Sequence, residues 1–170
     1  MRAGIGFDAH RFAEPHEGRA LMLMGVEVPF DMGLRGHSDA DVMLHALMDA
    51  LLGAAAMGDI GMHFPDTDPQ YKGIASLELL GRVVEKLRSQ GWQVANADVC
   101  LIGESPKLAP HRQAMRELVA PVLGVPVEAL NVKATTTEKM GFTGRGEGLA
   151  AQAVATIEPV GPPNMPQRLG

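Results

Sequence analysis

Gly6-Phe7-Asp8-Ala9-His10 stands at the end of the first predicted strand, and His37-Ser38-Asp39-Ala40-Asp41-Val42-Met43-Leu44-His45 leads into the first predicted helix. Asp8 and His10 are two positions apart, so in extended backbone both side chains leave the same face. His45 lies on the helix that follows. Two groups from a strand and one from a helix make a three-ligand cage of nitrogen and oxygen donors. Such a cage, with a fourth position open, suits catalytic zinc, whereas structural zinc usually closes its shell with cysteines. The chain has a single cysteine, which excludes a closed thiolate site. The plainer alternative has Asp8 ending a strand and His45 packed under Asp41 or Asp49. The concentration of histidines and acids in two short segments favours metal.

Working outward, residues 2–8 and 21–29 read as strands joined by a polar segment with Pro15, His16 and Gly18. Ser38-x-x-Asp41 has the form of a capping box, so a helix is expected from Ser38 to near Gly58. The stretch 58–69 is dense in turn formers and reads as a loop. Leu77, Leu80, Val84 and Leu87 recur at helical spacing and predict a helix over 73–90 that Gly91 ends. A strand is expected over 92–102 and a helix over 110–123, with last strands over 130–136 and 149–157. The order β-β-α-α-β-α-β-β implies a single α/β (α+β) domain, a mixed sheet with helices on one face. The other face then needs a cover, and self-association is the simplest.

The composition agrees with one soluble domain: 170 residues, 46% apolar and 21% charged. Five Phe, one Trp and one Tyr leave the core to aliphatic side chains. A net charge of −5 argues against a general nucleic-acid or membrane surface. No disulfide is available to Cys100, which falls in an apolar run. With no signal peptide and no apolar run long enough to span a bilayer, the expected location is cytoplasmic. The Pro- and Gly-rich tail at 159–170 is expected to fray.

Further motifs follow in the second half. Lys133-Ala134-Thr135-Thr136-Thr137-Glu138-Lys139 reads either as an exposed edge strand or as a diphosphate site. Hydroxyls and ammoniums suit phosphate oxygens, and Glu138 offers the hard oxygen ligand that Mg²⁺ prefers. Gly141-Phe142-Thr143-Gly144-Arg145-Gly146-Glu147-Gly148 is neither a Walker nor a dinucleotide motif and reads as a long turn with Arg145 pairing Glu147. Ser105-Pro106-Lys107-Leu108-Ala109-Pro110 opens a helix and either holds an anion or merely turns the chain. Asp59 either accepts hydrogen bonds from ribose hydroxyls or caps its own turn. His16, His63 and His111 read as solvated loop histidines without a role.

In this order the segments resemble the 2-C-methyl-D-erythritol 2,4-cyclodiphosphate synthases of the non-mevalonate isoprenoid route. The likeness is carried by 6–10, 36–42, 45–54, 58–61, 64–68, 133–139 and 141–148, and it spans residues 2–158. It implies a homotrimer with sheets facing the threefold axis and active sites between subunits. It implies a reaction in which the 2-phosphate of a cytidine diphosphate derivative of methylerythritol attacks the β-phosphorus and expels CMP. By the same resemblance Asp8, His10 and His45 hold Zn²⁺, and Glu138 holds a second divalent cation, Mg²⁺ or Mn²⁺. His37 and Thr136 stabilise the transition state, with Ser38 beside the phosphate. Asp59 and Gly61 hold the methylerythritol, and Phe64, Pro65, Asp66, Thr67 and Asp68 form an adjoining mobile loop. The cytidine pocket maps to Gly103, Pro106, Lys107 and Leu108 with Ala134, Thr135 and Thr136 beside it, and Phe142 and Arg145 complete the substrate contacts. Phe7, Arg145 and Glu147 resemble residues of the trimer's central channel, which leaves room for an isoprenyl diphosphate. The rival readings are a zinc-dependent phosphohydrolase and a non-catalytic trimer that binds CDP-type ligands.

Overall fold

The first strand, β1 (Arg2–Arg11), and the first helix, α1 (Val42–Ala54), meet backbone to backbone in the computed structural model, which describes residues 1–161 apart from Asp66 and Lys72. A Cβ on Gly6 would stand 1.9 Å from the Ala46 carbonyl oxygen, and one on Gly4 2.1 Å from that of Ala50. Alternation along β1 turns Gly4, Gly6, Asp8 and His10 to the helix and leaves Ile5, Phe7 and Ala9 exposed on the other face. Ala46, Ala50 and Ala54, spaced by four, give the helix the smooth side that this approach needs. All of α1 is buried except His45, Asp49 and Gly53, a single stripe at the same spacing. An element this apolar belongs at the centre of the fold.

Ser38 does not begin α1. Its cap is Asp41, whose Oδ1 accepts from the Leu44 amide at 3.1 Å, while Ala40 stands in left-handed backbone at φ 58° and ends any earlier turn. The second Asp41 oxygen accepts from the Gly25 amide at 2.7 Å. Burial pushes this carboxyl up to about 6, against the backbone donors that favour its charge.

The expected strand at 21–29 is a hairpin outside the main sheet, β2 (Leu21–Leu23) and β3 (Val26–Val28). Met24 and Gly25 both take positive φ, 51° and 74°, as a two-residue turn between right-twisted strands requires. The expected loop after α1 contains a short helix, α2 (Ile60–His63). Then come α3 (Ser76–Ser89), β4 (Trp92–Ile102), α4 (Arg112–Leu123), β5 (Leu130–Thr135), α5 (Gly141–Gly144) and β6 (Gly148–Pro159). The sheet order is β1-β6-β4-β5, antiparallel except for the parallel pair β4–β5. It is mixed, as the element order implies, and α1, α3 and α4 cover one face. Ile5, Phe7 and Val154 stand 64%, 57% and 45% exposed on the bare face. No helix among the described residues is long and apolar enough to cross a membrane. Residues 162–170, most of the tail expected to fray, lie outside the described residues.

Candidate functional site

The β1–α1 contact decides where the three expected metal ligands go. Asp8 Oδ2 lies 3.0 Å from both His10 Nε2 and His45 Nδ1, and the two nitrogens are 3.1 Å apart. Among the described residues these three form the group of side chains whose ligand atoms converge as a metal cage requires. Atoms about 2.0–2.1 Å from a tetrahedral zinc lie about 3.3 Å from one another, so the donor set and its spacing fit that ion. The far nitrogen of His10 donates to the Arg35 carbonyl at 2.8 Å, which leaves Nε2 a lone pair toward the cluster. Burial opposes ionisation of Asp8, but hydrogen bonds and charge from His10 and His45 outweigh it and hold the carboxyl well below the usual range. Burial likewise works against the His10 cation, yet Asp8 raises its pKa.

A cavity of about 500 Å³ opens at the cluster, lined by His10, Gly36, His37, Ser38, His45, Ile60, Gly61, Phe64, Pro65, Tyr71 and Leu79. Arg19 fixes its rim, donating to the carbonyls of Gly36 and Ser38 at 3.2 and 2.6 Å. Asp49 accepts from the Ile60 amide at 2.7 Å and pins the start of α2, and burial with the nearby acids Asp59 and Asp8 raises its pKa. Asp59 caps α2 through Met62 N at 2.9 Å, the plainer of its two readings. Phe64 is buried edge-to-face on Tyr71. Thr67 and Asp68 continue the chain beyond it, and Asp66 lies outside the described residues. His63 is half-buried and bonds the Met57 carbonyl at 2.8 Å, so it is neither solvated nor in a loop.

A second cavity, about 250 Å³, is lined by Gly103, Glu104, Pro106, Lys107, Leu108, Ala109, Arg112, Ala134, Thr135 and Thr136. Every residue mapped to the cytidine pocket is among them. Thr136 Oγ1 donates to Glu138 Oε1 at 2.8 Å, so those two groups already share one spot. Glu138 and Lys139 both adopt left-handed backbone, φ 52° and 63°, which costs energy for residues with a Cβ. The surroundings enforce it. Glu104 Oε1 accepts from the amides of Thr137 and Lys139, each at 3.2 Å, and the Thr137 hydroxyl bonds Thr143 Oγ1 at 3.0 Å. Lys133 stands on an exposed edge strand, one of the two readings of its segment, and pairs with Asp98 on the bare sheet face at 2.5 Å. Arg145 pairs with Glu147 at 2.7 Å just after α5, which carries Phe142.

The family model described as YgbB family matches residues 1–158. The chain belongs to this family. A relative from Desulfatibacillum aliphaticivorans named 2-C-methyl-D-erythritol 2,4-cyclodiphosphate synthase is 56% identical over 158 residues, 93% of this chain and all of that one. A solved synthase described as a CDP-bound form is 35% identical with a TM-score of 0.83, covering 92% of this chain and all of that one. The bifunctional IspDF from Campylobacter jejuni is 46% identical with a TM-score of 0.87; this chain covers 42% of its length.

Within this YgbB-family chain the structure groups the sequence-derived residues into two sets. Asp8, His10, His37, Ser38, His45, Gly61, Phe64 and Pro65 gather at the β1 edge, and the residues of 103–108 and 134–138 gather at the β5 edge. One chain does not unite them. The sequence reading missed Arg19, Tyr71, Ser76 and Arg112, which only the fold brings to these cavities and their rims.

Proposed function

We propose that residues 1–158 form one cyclodiphosphate synthase domain that converts 4-CDP-2-C-methyl-D-erythritol 2-phosphate to the 2,4-cyclodiphosphate and CMP, as a cytoplasmic homotrimer. The observation that carries this reading is the convergence of Asp8, His10 and His45 on one point at the edge of a cavity that also holds His37 and Ser38. Zinc held there, and Mg²⁺ or Mn²⁺ held by Glu138, would supply Lewis acidity that offsets the repulsion between an anionic nucleophile and an anionic electrophile. An oxygen of the 2-phosphate bonds to the β-phosphorus, the bond from that phosphorus to the bridging oxygen breaks, and its electron pair leaves with CMP. His37 and Thr136 donate hydrogen bonds to charge that develops on phosphate, and Ser38 orients the diphosphate. Asp59 and Gly61 hold the methylerythritol under the segment Phe64–Asp68. Gly103, Pro106, Lys107, Leu108, Ala134 and Thr135 hold the cytidine, and Phe142 and Arg145 complete the substrate contacts. A phosphate oxygen is already ionised at neutral pH, so no protein nucleophile is needed, and intramolecularity supplies much of the rate.

The nearest rival is a hydrolase with water as nucleophile. Turnover in ¹⁸O-water separates them: the cyclase gives a cyclic diphosphate and CMP with no heavy oxygen in either. Enzyme-dependent ¹⁸O on phosphorus in the first turnover would refute the cyclase reading.

A further inference from the structure

Ser76, the first residue of α3, is fully buried, and a buried hydroxyl persists where its proton and its lone pairs both find partners. Ser76 Oγ stands 2.5 Å from Asp39 Oδ1 and 3.0 Å from His45 Nε2. The carboxylate only accepts, so the single Ser76 proton goes to Asp39. Toward His45 the oxygen then has only lone pairs to offer, and Nε2 must carry the ring proton. That leaves the lone pair on Nδ1, the nitrogen that faces Asp8 and His10. Ser38 Oγ, 3.2 Å from the same Nε2, already accepts from the Ala40 amide at 3.1 Å and is the weaker second acceptor.

We infer that Asp39 and Ser76 are positioning residues for the metal centre, a carboxylate–hydroxyl–imidazole relay that locks His45 in the tautomer and ring orientation a divalent cation requires. The inference rests on the reading of Asp8, His10 and His45 as metal ligands. The Arg35 carbonyl does the same for His10, so both histidines are fixed by acceptors outside the cage. A purely structural role for Asp39 would be to cap α3, and for that its bond from the Ser76 amide to Oδ2 at 3.0 Å suffices. The hydroxyl link adds nothing to a cap. Ser76→Ala therefore tests the relay while leaving the cap in place.

Zinc dissociation constants of metal-stripped full-length protein and of Ser76→Ala, measured by competition with a chromogenic chelator at neutral pH, give the first readout. The expected change is 10–100-fold weaker binding in the variant, in line with other lost outer partners of metal-bound histidine. Affinity within threefold of the unaltered protein overturns the relay. A second readout needs no variant: long-range ¹H–¹⁵N spectra of the zinc-loaded protein should show the His45 ring proton on Nε2. A proton on Nδ1 overturns the relay as well. Failure of the unaltered protein to bind zinc in the same titration overturns the metal reading itself, an outcome distinct from either.

Discussion

At the scale of single residues, the two proposed metal roles can be tested apart. His45→Ala removes one of the three proposed ligands, so elemental analysis should find about one zinc per chain in the unaltered protein and most of it gone from the variant. Glu138 lies at the far edge of the sheet beside Thr136, away from that cage. Glu138→Gln should keep zinc and lose turnover on the order of 100-fold, because an amide is a poorer ligand for a hard cation and a neutral one. Loss of zinc in Glu138→Gln would mean that the metal roles are misassigned. The cage residues were legible in the sequence because strand alternation is a local rule that puts Asp8 and His10 on one side whatever the rest does. Ser76 was not, since its contact with His45 spans 31 positions and nothing local to the expected helix over 73–90 sets it apart. Lys133 stayed between an edge strand and a phosphate site in the sequence because its partner Asp98 lies on a neighbouring strand whose register no local pattern reveals.

At the scale of elements, the fold turns on how close β1 can come to α1. Gly6→Ala would drive a methyl to 1.9 Å from the Ala46 carbonyl, a clash with backbone rather than with a side chain that can swing away. The expected cost is about 3 kcal/mol or more, at the upper end of core overpacking. Strand displacement would also carry Asp8 and His10 off their positions, so zinc affinity should fall with stability. Gly81→Ala is the contrasting case. Nothing lies within 4 Å of a Cβ at that position in mid-α3, so the change should stabilise by about 0.5–1 kcal/mol. Denaturant unfolding of the two variants measures both, and a neutral Gly6→Ala would remove the close approach as the determinant of the site. Helix α3 was legible because Leu77, Leu80, Val84 and Leu87 recur at clean helical spacing, and Trp92–Ile102 falls where the sequence reading puts it. The hairpin at 21–28 was not, because Met24 occupies a left-handed position where glycine or asparagine would have signalled a turn. The α1 boundary shifted for a similar reason: Ser38 and Asp41 both look like caps, and only the positive φ of Ala40 chooses between them.

At the scale of the whole molecule, the sheet order sets a geometric problem. The proposed zinc ligands lie on or against β1, while Thr136 and the proposed cytidine cavity lie at the end of β5, and β6 and β4 run between them. Three strand spacings separate the edges by about 14 Å. One diphosphate cannot touch both edges of the same sheet. Joining the β1 edge of one copy to the β5 edge of the next resolves this, and a ring closed by such head-to-tail contacts also covers the bare face that carries Ile5, Phe7 and Val154. Three copies are what the resemblance implies, so sedimentation at micromolar concentration should report a particle of about 54 kDa from chains of 18.1 kDa. Val154→Arg places a charge where three sheets would meet and should shift the particle to smaller species. The proposed zinc ligands all lie within a single chain, so the variant should retain about one zinc per chain and still lose most CMP release. Loss of zinc along with assembly would show that the cage itself depends on a neighbour. A stable monomer with full activity would mean that one chain contains the whole site, and that the two cavities approach each other by some route other than a subunit interface.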